Sequence, residues 1–183
     1  MNTVQPIRDI KTITAMKERL KAMNEKYYIM FVCGINIGLR ISDILTLNVS
    51  DVQSKSHIII TEQKKGKTKR FLINDKLSAE LESYISSNNL SNDDYLIPSR
   101  KGDNKPITRV QAYRILNEVG KELGLEDIGT HTLRKTFGYY HYKQYKDIAI
   151  LQDIFNHSAP SITLRYIGIN DDMKDETIKN FYL

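Results

Sequence analysis

Ile10, Ile13, Met16 and Leu20 recur at the spacing of one face of an α-helix and predict a helix over 8–23. A second helix is predicted over 25–37, ending near Gly38, and a third opens near Ser42 with Ile44, Leu45 and Leu47 apolar. The texture then changes. HIIITEQ (57–63) and RFLIN (70–74) are β-branched or apolar runs, and KKGKTK between them contains Gly66. This pattern predicts a β-hairpin with a strongly basic tip. Helical spacing returns over 75–88 through Leu77, Leu81 and Ile85. YLIP reads as a short extended piece ended by Pro98, and SRKGDNKP as a flexible basic loop. Thr108 fits the cap of a helix carrying Val110, Tyr113, Leu116 and Leu123. Further helices are predicted near 131–145, 147–156, 161–167 and 171–181. The order of elements predicts one domain over 1–183, mainly α with a small antiparallel β-sheet (α+β), without repeats or an obvious linker.

Composition narrows the class. At 183 residues and 40% hydrophobic content, one domain with a useful core is expected. Lys plus Arg is 27 against 22 for Asp plus Glu, a net charge of +5 that permits a polyanion partner without requiring one. Cys33, the single cysteine, lies in the apolar run YYIMFVCGI and reads as a small buried hydrophobe. It can form no internal disulfide and has no second thiol to share a metal, which points to a reducing, cytoplasmic setting. No apolar run approaches the roughly 18 residues of a membrane span, so no membrane association is expected. MNTVQPIRDIK holds no signal-peptide core.

Four segments carry candidate chemistry. In THTLRKTFG, a helix starting at His131 puts His131 and Arg134 on one face, where a phosphate would satisfy both. Taken alone, HxxR also fits a helix-start histidine and a solvated arginine. In GINIGLRISDILTL, Arg40 lies in an apolar stretch and needs a partner, which Asp43 and a bound phosphate could supply; a purely structural Arg40–Asp43 pair fits equally. The hairpin tip carries Lys64, Lys65 and Lys67, reaching toward a ligand or simply solvating a turn. In IFNHSAPSITLRYIGI, His157 precedes Pro160, and a short helix presents Tyr166. Tyrosine can form covalent intermediates, although by itself Tyr166 would more often pack. His57 and His141 read as structural or surface residues.

The ordered set Arg40, Lys65, His131, Arg134, His157, Tyr166 is far more specific than any one member. On GLRISD, KKGKTKR, HTLRKTFG and NHSAPSITLRYIG, spanning 34–168, the chain resembles the catalytic domain of the tyrosine recombinases, the phage integrase family. The resemblance implies the catalytic-domain fold of that family and a site-specific recombinase working through a 3′-phosphotyrosyl intermediate. In it Tyr166 is the nucleophile, Arg40 and Arg134 clamp the phosphate, and Lys65 is the general acid. His131 helps deprotonate Tyr166 or orients the site, His157 hydrogen-bonds the phosphate, and Asp43 supports the site. No cofactor is implied. No convincing carboxylate cluster for Mg²⁺ exists in the sequence, and metal-independent cleavage is expected. Lys64, Lys67, Lys69, Arg70, Arg100, Lys101 and Arg109 are candidate contacts to the DNA backbone. The implied partners are double-stranded DNA, further copies of the chain in a tetrameric synapse, and an accessory DNA-binding partner, in a nucleoid-associated location.

The chain departs from the family pattern in places. Its first Arg box arrives at residue 40, which leaves no room for the usual N-terminal DNA-clamping domain. Weak DNA binding by the lone chain is therefore expected. Phe155-Asn156 stands where Leu-Gly is common. Met173, Ile178, Phe181 and Leu183 could form an apolar face in the C-terminal segment, packing on their own domain or reaching a neighbour. Two other readings fit parts of the set: DNA relaxation of the type IB topoisomerase kind, and a non-catalytic DNA-binding regulator that kept the fold.

Overall fold

The computed structural model describes residues 4–61 and 68–169, together with 176, 178, 179, 181 and 182. Its elements run α1 (Ile10–Met23), α2 (Glu25–Ile37), α3 (Ile41–Leu45), a 3-10 turn (Val49–Asp51), β1 (His57–Thr61), β2 (Thr68–Leu72), α4 (Asp75–Ser87), α5 (Arg109–Glu122), α6 (Thr132–Tyr145), α7 (Ile148–Phe155) and α8 (Pro160–Tyr166). Of the predicted helix at 171–181, residues 176, 178, 179 and 181 are described: 176 and 178 are helical, and Ile178 and Phe181 are exposed.

Helix boundaries follow local hydrogen-bonding chemistry. Asp9 accepts from the Thr12 backbone N–H and starts α1 two residues later than its apolar spacing predicts. Asn24 ends α1 and starts α2, its side chain accepting from the Lys26 N–H. Gly38 ends α2 in the left-handed conformation, at φ 75°. Asn74 and Asp147 cap α4 and α7, and Thr108 with Gln111 forms a capping box at α5. Pro160 opens α8, where its missing N–H costs nothing.

Helix α2 is the centre. Ile29, Met30, Phe31, Val32, Cys33 and Ile37 are all buried, and α1, α3, α4 and α6 pack around it. Burial pushes the Cys33 thiol up to about 12, so it stays neutral as a packing group. Gly34 lets α6 approach closely, because a Cβ there would lie 2.6 Å from the Leu133 side chain. The hairpin pairs His57 with Leu72 through Thr61 with Thr68, so β2 begins two residues before the predicted run. Ile58 anchors it in the core while Ile59 and Leu72 remain exposed.

Two apolar expectations are corrected. Ile10 is exposed because it lies in the first turn, and the buried stripe of α1 is Ile13, Met16 and Leu20. Val110 and Tyr113 are exposed as well; α5 buries Ala112, Leu116, Val119 and Gly120. The small residues Ala112 and Gly120 hide that stripe from a reading based on large side chains.

A second, smaller core is built by α6, α7 and α8. Leu151, Phe155 and Ile167 are fully buried there, with Phe137, Tyr142, Ile148 and Tyr166 against them. Gly138 of α6 is its contact point: a Cβ there would meet Ile167 at 2.6 Å and Phe155 at 2.7 Å. Gly138→Ala therefore overpacks this joint. The strain, about 1–3 kcal/mol, outweighs the roughly 1 kcal/mol that alanine gains in a helix, and thermal melting should show a Tm lower by a few degrees.

Candidate active site

Four segments converge beside the smaller core. Arg40 follows the Gly38 turn and precedes α3, its guanidinium exposed and 4.0 Å from the Asp43 carboxylate. Arg134 projects from α6 and is only 4% exposed. It has no carboxylate partner among the described residues. Its guanidinium donates to the Gly38 carbonyl at 2.7 Å and to the Phe155 carbonyl at 3.1 Å, and it lies 4.5 Å from the centre of the Phe155 ring. Burial pulls its pKa down to about 10, which leaves it charged at neutral pH. A narrow cleft opens between them, lined by Arg40, Asp43, Lys69, Arg134, Phe155 and Asn156.

His131, the residue before α6, directs Nδ1 to the Tyr166 hydroxyl at 3.3 Å. His157 uses its Nδ1 on the Thr163 hydroxyl at 3.0 Å, which leaves its other ring nitrogen for a ligand. The rings of His131, Phe155 and His157 surround Tyr166 at 6.4, 5.4 and 5.1 Å, all edge to face. Burial raises the Tyr166 pKa, and Arg134 and Arg40 partly oppose it. Desolvation lowers the pKa of His131, assisted by Arg109, Lys135, Arg134 and Arg40; desolvation, then Arg134 and Arg40, does the same to His157. At rest the set is therefore a neutral phenol beside two neutral imidazoles, inside a ring of cations. A neutral His131 is able to take the phenol's proton, and the cations favour the phenolate that remains.

Arg40, Asp43, His131, Arg134, His157 and Tyr166 thus come together. Lys64, Lys65 and Lys67 lie outside the described residues. Arg109, read as a backbone contact, stands at the start of α5 close enough to lower the His131 pKa. Lys69 donates to the Asp153 carbonyl at the end of α7 and lines the cleft itself. Arg70 lines a separate, larger groove with Ile35, Phe137, Tyr140 and Tyr145, and the exposed Arg100 and Lys101 line neither. Phe155, noted in the sequence only as a departure from Leu, and Thr163 and Lys135, not singled out there, also take part. Phe155 gives Arg134 both a carbonyl and a ring, Thr163 orients His157, and Lys135 lies over the Tyr166 ring. Asn156 takes the left-handed conformation at φ 56°, doing the work of the Gly more common there. Among the described residues no three His, Cys, Asp or Glu side chains gather as metal ligands do.

The model of the phage integrase family matches residues 7–173. The probable integrase/recombinase YoeC of Bacillus subtilis (strain 168) is 50% identical over 181 residues, 99% of this chain and 98% of its own length. Against the tyrosine recombinases it matches next, the chain spans about half their length, 54% and 51%. The crystal structure of XerA recombinase superposes with a TM-score of 0.76 at 21% identity, over 96% of this chain and 63% of that one. XerH site-specific recombinase, bound to its difH substrate after cleavage, does so with a TM-score of 0.74 at 15% identity, over 98% and 54%. Both share the fold.

Two outcomes follow from this geometry. Arg134→Met should lower stability by about 1–3 kcal/mol in urea titration without any ligand, because two buried carbonyls lose their donor. The three depressed histidines, His131, His141 and His157, also set a pH dependence. Below an unfolded value near 6.5 the unfolded chain takes up protons that the folded protein resists. Stability should therefore fall between about pH 7.5 and about pH 5.5, and His141→Phe, which keeps the stack between Phe137 and Tyr145, should remove part of the fall.

Proposed function

This chain belongs to the phage integrase family, a class of DNA strand-transferring enzymes, and on that footing we propose that it is a site-specific recombinase whose nucleophile is Tyr166. The observation that carries the reading is the 3.3 Å approach of His131 Nδ1 to the Tyr166 hydroxyl, beside a cleft that holds two arginines.

In this mechanism the Tyr166 oxygen attacks the scissile phosphorus while its proton passes to His131. Arg40 and Arg134 meet the nonbridging oxygens and stabilise the charge that develops on them. The P–O5′ bond breaks, and Lys65 supplies the proton to the departing 5′-oxygen. The product is a 3′-phosphotyrosyl link and a free 5′-hydroxyl, and attack by a 5′-hydroxyl reverses the step. His157 hydrogen-bonds the phosphate through the nitrogen that Thr163 leaves open. Asp43 holds Arg40. The arginine pair supplies the positive charge that metal ions supply elsewhere, so cleavage runs without Mg²⁺.

The partner is duplex DNA, gripped mainly through its phosphates. Arg109 and Lys69, next to the cleft, are the backbone contacts best supported by position; Lys64, Lys67, Arg70, Arg100 and Lys101 extend the basic surface outward. Strand exchange calls for several copies on DNA, a tetrameric synapse by family resemblance, with an accessory DNA-binding partner, in the nucleoid of the cytoplasm. The family match favours neither relaxation by a lone subunit nor a binding-only role.

Covalent trapping tests the reading. The protein is mixed with fragmented, nicked duplex DNA from its source, with a chelator present. The expected result is an SDS-resistant adduct that peptide mass mapping places on Tyr166 and that Tyr166→Phe abolishes. Binding without any adduct, or cleavage that returns only when Mg²⁺ is added back, would count against the mechanism.

A further inference from the structure

Residues 4–8 cross α6 as a strap. The Gln5 N–H donates to the Asp127 carbonyl at 3.1 Å, and the Ile7 N–H to the Thr136 hydroxyl at 2.9 Å. The Tyr140 hydroxyl donates to the Arg8 carbonyl at 2.7 Å, and the Arg8 guanidinium to the Gly168 carbonyl, just past α8, at 3.2 Å. Ile7 is 2% exposed, so the strap is part of the packed structure.

Lys135 lies beneath it. Its ammonium is buried and donates to the Val4 carbonyl at 2.7 Å. The ion pairs among the described residues, Arg19–Glu122 and Arg40–Asp43, lie elsewhere. On its other side Lys135 Nζ sits 5.2 Å from the centre of the Tyr166 ring. An ammonium taken from water without a carboxylate is costly. One carbonyl and one aromatic face repay part of that.

We propose that Lys135, tied to the strap through the Val4 carbonyl, is a positioning residue for the His131–Tyr166 pair. It fixes the Tyr166 ring from one side while His131 meets the hydroxyl, and it makes the strap part of the site. The proposal rests on the reading of Tyr166 as nucleophile. A bland alternative exists in the same molecule: Lys26, away from the site, is also buried, donates to the Pro98 carbonyl and lies 5.4 Å from the Tyr27 ring. That arrangement alone is a folding device. Lys135 differs in standing on the nucleophile and close enough to His131 to lower its pKa.

His131 is faced by Arg40 ahead of α3, Arg109 from α5, Arg134 and Lys135 from α6, and Tyr166 from α8. Removing one of these cations lets it protonate at higher pH, and a protonated His131 cannot accept the phenol's proton. Lys26, away from the pair, is not among the cations that act on that titration.

The test uses the full chain, with Lys135→Gln and Lys135→Met as uncharged variants and Lys135→Arg as the conservative one. Gln keeps a donor for the Val4 carbonyl, so it retains the tie if the Met variant fails to fold. Single-turnover cleavage is followed across pH on a nicked duplex bearing the site recovered from the Tyr166 adduct. DNA affinity and the NMR titration of His131 are measured alongside. The uncharged variants should bind DNA within about twofold of the parent and cleave about tenfold more slowly or worse. The acid side of the rate profile and the His131 titration should both move to higher pH, and Arg should restore most of the rate. Parent-like cleavage and titration in a folded uncharged variant would overturn the proposal. So would a rate that falls only with the folded fraction while both pH curves stay in place. If the parent protein forms no adduct on any DNA, the recombinase reading itself fails, and the His131 titration alone decides whether Lys135 acts on the pair.

Discussion

The site depends on how one buried guanidinium is satisfied. Among the described residues Arg134 meets no carboxylate; it takes the carbonyl of Gly38, past the end of α2, and that of Phe155, the last residue of α7. Helix C-termini carry partial negative charge, so two of them can hold a buried cation in place of a carboxylate. The arginine thereby pins the Arg40 turn and the His157 segment to α6 while it lines the cleft as a charged group. A carboxylate in the same place would have secured the fold equally well and cancelled the attraction for an anion.

The remaining groups take their character from that decision. Among the described residues Arg40 has one ion-pair contact, with Asp43 at 4.0 Å. Burial, assisted by the excess positive charge, keeps His131 and His157 neutral, and the same charge offsets part of the burial that raises the Tyr166 pKa. His131, Tyr166 and the two arginines are separate side chains, but one electrostatic field tunes them together.

Much of this was legible in the sequence because its signals are local. Gly38, Asn24, Asn74, Thr108 and Pro160 mark boundaries through their own backbone preferences, and Arg40, His131, Arg134, His157 and Tyr166 stand in recognisable short segments. What escaped depends on contacts between distant parts of the chain. Nothing around Lys135 says that Val4 returns to meet it, more than a hundred residues away in the chain. Phe155 reads as an ordinary apolar residue until its carbonyl and ring are both found on Arg134. Asn156 looks like a departure from Gly until its φ shows that the two residues serve the same backbone bend. The stripe of α5 is hidden for a related reason, since Ala112 and Gly120 are buried by close approach rather than by size.

The smaller core has a consequence of its own. Tyr166 rides on a seven-residue helix whose burial depends on Leu151, Phe155 and Ile167 rather than on the large cluster around α2. Local opening free energies track how much apolar contact a segment makes. The helix that carries Tyr166 is therefore expected to open at a lower free energy than the large cluster around α2. If Tyr166 is the nucleophile proposed above, readiness to react is an equilibrium of its own, set by the small core rather than by the stability of the whole fold.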